Sequence, residues 1–151
     1  MAQNLNVFDD IEWGIDSSPS CAYRKSSGAS LTKQDLDIVI FPDETKINIR
    51  FMMNDSWDFS VTREMKGPFT IRSILKFIFK FYEEPMDRSL FDKIFGEKYK
   101  YRLEELLDDE ERVGEMYIQN IHAFDDGCGL PFEGLEYNAE DNSYTVLIGP
   151  T

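Results

Sequence analysis

The stretch from Gly67 to Pro85, GPFTIRSILKFIFKFYEEP, constrains this chain more than any other. Pro68 and Pro85 bracket it, and proline is tolerated at a helix start but not in its interior. Thr70 is placed to cap a helix, its hydroxyl accepting from an orphan N–H of the first turn. At 100° per residue, Ile71, Ile74, Leu75, Phe77, Ile78, Phe79, Phe81 and Tyr82 fall in one arc of roughly 200°. Arg72, Ser73, Lys76, Lys80, Glu83 and Glu84 fill the rest. An arc that wide predicts contact with more than one neighbour, a sheet and a second helix. The run is too short and too charged, through Arg72, Lys76 and Lys80, to be a membrane span.

The segments before it are β-type. Phe8, Ile11, Trp13 and Ile15 suit an edge strand within 4–15, and residues 17–30, rich in Ser, Gly and Pro, suit a loop around a short strand at Cys21–Arg24. Leu36–Phe41 is an apolar run stopped by Pro42. Lys46–Met53 alternates, with Ile47, Ile49, Phe51 and Met53 on one face and Lys46, Asn48 and Arg50 on the other. Trp57–Thr62 returns as a further strand after the Asn54-Asp55 turn. After Pro85, short helices are expected over 87–96 and 98–111, then β-type residues over 115–124 and a glycine-rich loop over 125–131. Leu135–Tyr137 and Tyr144–Ile148 pair as a hairpin across Asn138–Asn142. The predicted fold class is α+β: an N-terminal antiparallel β-meander packed on a central amphipathic helix, two shorter helices and a C-terminal β-hairpin. A length of 151 residues suits one domain, 1–151.

Charge bounds the function. The chain carries a formal net charge of −13. That argues against a general nucleic-acid binder, which needs Lys and Arg against phosphate, and against docking on an anionic membrane surface. Residues 24–102 hold 15 bases and 12 acids, whereas residues 113–151 hold seven acids and no Lys or Arg. Either these acids meet the basic middle, with Arg72, Lys76 and Lys80 as candidate partners, or they face an external protein with a basic surface. Asp125, Asp126, Glu133 and Glu136 are the candidate binding residues.

Catalytic and metal signatures are not found. His122 stands six residues before Cys128, but no helix start follows Cys128 to activate its thiol, and no CxxC spacing supports zinc. Asp125 and Asp126 with Glu133 or Glu136 do not match the EF-hand spacing, and phosphate-loop, dinucleotide and hydrolase motifs are missing. No cofactor is expected. Cys21 and Cys128, with no apolar leader at the N-terminus, suggest reduced thiols and a cytoplasmic setting, in a host cell or a virion.

Pro68-Phe69-Thr70, the helix that follows, and Phe81-Tyr82 ahead of Pro85 resemble a pattern in uncharacterised proteins of large cytoplasmic DNA viruses. The resemblance covers about 20 residues and implies a small accessory or virion-associated protein, with no activity to carry over. A protein-interaction role is the leading expectation. An acidic nucleic-acid mimic and a small carboxylate-based enzyme are the alternatives.

Overall fold

A computed structural model of the protein describes residues 5–15, 17–53, 60–85, 89 and 130–149. In chain order its elements are a 3-10 turn (Leu5–Asp10), β1 (Ile11–Glu12), a second 3-10 turn (Pro19–Cys21), β2 (Tyr23–Arg24), α1 (Lys33–Leu36), β3 (Lys46–Met52), β4 (Ser60–Lys66), α2 (Ile71–Glu83), β5 (Phe132–Asn138) and β6 (Ser143–Ile148). β1 and β2 form a two-stranded antiparallel ribbon. The main sheet has the order β4-β3-β6-β5. It consists of two antiparallel hairpins, β3–β4 and β5–β6, joined where β3 and β6 run parallel. The fold is α+β.

α2 forms where its local sequence directs. The Thr70 hydroxyl accepts from the Ser73 N–H at 3.1 Å, and the Ser73 hydroxyl accepts from the Thr70 N–H at 2.9 Å, a reciprocal cap that satisfies two otherwise orphan donors. At the other end the Glu84 N–H reaches the Lys80 and Phe81 carbonyls, and Pro85 prevents continuation. Ile71, Ile74, Leu75, Ile78, Phe81 and Tyr82 are buried, while Phe77 and Phe79 are only half-buried, so the covered arc is narrower than the apolar arc. Beneath the helix lies β3. Phe51, fully buried, stacks on Phe81 with ring centroids 3.9 Å apart and meets Tyr82 edge-on at 5.7 Å. Each such side chain contributes about 1.5–3 kcal/mol on burial, which makes the α2–β3 contact a principal source of stability.

The other half of the core belongs to the N-terminal segment. Phe132 of β5 is met edge-on by Phe8 at 5.3 Å and by Trp13 at 5.7 Å. Its N–H donates to the Trp13 carbonyl at 2.8 Å. These residues join those under α2 in one buried cluster.

Several expectations need correction. Residues 5–10 coil into a 3-10 turn rather than a strand, although Ile11, Trp13 and Ile15 alternate inward as anticipated. Leu36–Phe41 is not a strand. Thr32 and Asp35 build a reciprocal cap that draws Leu36 into α1, and Val39 makes only an isolated bridge to Thr70. The segment still delivers Ile40 and Phe41 to the core, bonding to the entry of α2 instead of to a sheet neighbour. β4 continues to Lys66, beyond the expected end at Thr62, because its pairing with β3 persists to Lys46↔Lys66. The meander is reduced to the β3–β4 hairpin, since the place on the far side of β3 is taken by β6. Trp57 and Phe59, the helices over 87–96 and 98–111, and the segment over 115–124 lie outside the described residues.

Candidate interaction face

The C-terminal hairpin carries the part of the acidic third that the structure describes. Its tip is fixed by local bonds: Tyr137 donates through its hydroxyl to Asn142 Oδ1 at 2.9 Å, Ser143 through its own to Asp141 Oδ1 at 2.6 Å, and the Glu140 N–H to Asn138 Oδ1 at 3.0 Å. Asn142 takes φ 52°, a left-handed conformation that asparagine tolerates better than most residues. Glu133, Glu136, Glu140 and Asp141 are all exposed.

A bulge between Phe132 and Gly134 shapes the strand that carries the first two. It allows Phe132 and Leu135, three residues apart, both to be buried, where strict alternation would send them to opposite faces. Glu133 occupies the bulge and lies against Gly149. Glu136 pairs with Thr145, and the same row runs on through Arg50 to Thr62. The next row is Asn138, Ser143, Asn48 and Glu64. The sheet face opposite α2 is therefore of mixed charge.

Among the described residues the ion pairs fall elsewhere. They are Arg24 with Asp10 and Asp35, Lys25 with Glu12, Lys46 with Glu64, Arg63 with Glu84, and Arg72 with Asp37. Arg72, a candidate partner for the C-terminal acids, is thus engaged by Asp37 at 3.4 Å. Among the described residues, Glu133, Glu136, Glu140 and Asp141 have no ion-pair partner, and neither do Lys76 and Lys80.

The densest polar cluster was not anticipated from sequence. Arg24 of β2 bridges Asp10 and Asp35, joining the first 3-10 turn to α1. The Thr32 N–H and the Arg24 guanidinium hold the Asp35 carboxyl below the ordinary carboxylate range, and Ser26, through its hydroxyl and N–H, does the same to Asp10. Every group in the cluster has a partner, so it acts as a tie between elements and presents no free functional atom. Only the spacing Thr32-x-x-Asp35, a capping signature, could have flagged part of it.

Asp125, Asp126, His122 and Cys128 lie outside the described residues, so of the four candidate binding residues the structure places only Glu133 and Glu136, both exposed on β5. Cys21 is an exposed free thiol at the end of the second 3-10 turn. Among the described residues no group of His, Cys, Asp and Glu could hold a metal ion, and no helix is long and apolar enough to cross a membrane. No family model, characterised protein or solved structure matches the chain.

Proposed function

We infer that the protein works by binding another protein, through the acidic surface that includes the exposed Glu133 and Glu136 of β5 and the hairpin tip, and that the partner presents a basic surface. The observation that carries this is the distribution of ion pairs: the described acids up to Glu84 supply all of them, and those of the hairpin supply none. Exposed ion pairs contribute only about 0–1 kcal/mol each, so stability gives little reason to concentrate unpaired acids here. Complementary charge across an interface, by contrast, raises association rates and selects partners. The mixed face opposite α2, where Lys46, Arg50 and Lys66 accompany Glu64 and Glu136, favours this role over nucleic-acid mimicry, which needs rows of carboxylates without interspersed cations. The resemblance of the Gly67–Pro85 segment adds a setting, that of a viral accessory or virion-associated protein.

The test is affinity capture with the full chain from its native source, followed by association kinetics with the captured protein across a salt series. Glu133→Gln with Glu136→Gln is expected to slow association and flatten its salt dependence. Association as fast as the parent's at low salt would show that these acids only solvate the surface.

A further inference from the structure

Four arginines lie among the described residues, and three of them are in ion pairs: Arg24 with Asp10 and Asp35, Arg63 with Glu84, and Arg72 with Asp37. Arg50 is the exception. It sits at the centre of the main sheet, half-buried, on the face opposite α2. Its Nε–H donates to Ser60 Oγ at 2.9 Å, and among the described residues that is its only hydrogen-bond partner. In a chain with 29 acids against 16 bases, a half-buried guanidinium without a carboxylate calls for a physical reason.

The surroundings supply one. Arg50 stands in register between Thr62 on the antiparallel β4 and Thr145 on the parallel β6, and a directly opposed antiparallel pair such as Arg50–Thr62 holds its Cβ atoms about 4.5–5.5 Å apart on the same face. Fixing Nε on Ser60 restrains the planar fork and leaves its terminal N–H groups to meet a ligand in two parallel bonds. The register places Thr62 and Thr145 in the same row, one on either side. Glu136 and Glu64, on the same face but in outer strands, set the limit on ligand charge. They repel a dianion more than a monoanion, since Coulomb energy scales with the charge.

We propose that Arg50, flanked by Thr62 and Thr145, is a recognition site for a single carboxylate. The site adjoins the acidic hairpin, sharing its row with Thr145 and Glu136, but differs in the charge it would take, because it uses the one described guanidinium that no described acid pairs with.

The experiment is a titration of the full, isotope-labelled chain, followed by nuclear magnetic resonance at constant ionic strength, with sodium acetate in one arm and inorganic phosphate in the other. Acetate is expected to produce saturable shifts at the Arg50 Nε–H and at the Thr62 and Thr145 amides, with no comparable change at Arg24, Arg63 or Arg72. Arg50→Gln should abolish the saturable component. Arg50→Lys, which keeps the charge but not the fork, should weaken it several-fold. If Arg50→Gln fails to fold, the lysine variant still decides the matter. Shifts that stay linear, or that affect all four arginines alike, would overturn the site. Saturation by phosphate at tenfold lower concentration than acetate would overturn its assignment to a carboxylate.

Discussion

The Tyr82 hydroxyl donates a 2.9 Å hydrogen bond to the main-chain carbonyl of Met52, tying the last turn of α2 to the end of β3 inside the core. Both residues are buried, so neither group has water as an alternative partner. Burial pushes the Tyr82 hydroxyl far above its usual pKa, because a phenolate there would be desolvated.

Tyr82→Phe keeps the ring and removes the donor, leaving the Met52 carbonyl unsatisfied by this bond. A loss of about 1–3 kcal/mol is expected, read as a lower urea midpoint with unchanged slope. An unchanged midpoint would mean that the bond adds nothing net. In the parent, Tyr82 should contribute no phenolate absorbance at high pH until the chain unfolds.

Charge introduced along α2 should discriminate between its covered and half-covered positions. Ile78 is fully buried, so Ile78→Asp places an unpaired carboxylate in the core and is expected to abolish cooperative folding. Phe77 is half-buried and stacks on Phe51 at a centroid distance of 6.0 Å. Phe77→Asp should therefore destabilise less and leave a measurable, lowered melting transition. Equal melting of both variants and the parent would remove α2 from the centre of the architecture.

The Arg24 cluster predicts an acid-dependent loss of stability. Asp35 and Asp10 have folded-state pKa values below those of the unfolded chain, near 3.9. The stability they supply is present above that unfolded value and is lost as pH falls through the lower folded values. Asp10→Asn with Asp35→Asn should be less stable than the parent at pH 7, and the gap should narrow as the pH falls below about 4. Urea midpoints across that range check it, and a gap that does not narrow would refute the assignment.

Two glycines offer a test of backbone strain against contact. Gly134, in the β5 bulge, has φ 118°, and a Cβ there would meet Phe8 Cβ at an ordinary 3.6 Å. Gly28 has φ 71° with open space around it. Gly134→Ala is expected to cost about 1–3 kcal/mol through its conformation, and Gly28→Ala about 1–2 kcal/mol as a left-handed residue. Thermal melts in which either variant matches the parent would contradict this.

What the sequence by itself determined is local. The α2 helix and its Thr70 cap, the alternation of Ile47, Ile49 and Phe51 on β3, and the C-terminal hairpin all follow from periodicity, capping and turn chemistry that act within a few residues. The tertiary structure decided what depends on distant partners. Insertion of β6 beside β3 pairs Asn48–Arg50 with Ser143–Thr145, some 95 positions away, and no local signal specifies that neighbour. Leu36–Phe41 has strand-like composition, yet its backbone groups are taken by the α1 cap and by the entry to α2, because a segment becomes a strand only where an edge is open to receive it. The candidate sites divide in the same way. An acidic hairpin could be read from composition, since charge is counted residue by residue. That its acids have no ion-pair partner among the described residues, that Arg24 joins Asp10 to Asp35, and that Arg50 stands between two threonines with no described carboxylate were set by which strands came to lie side by side.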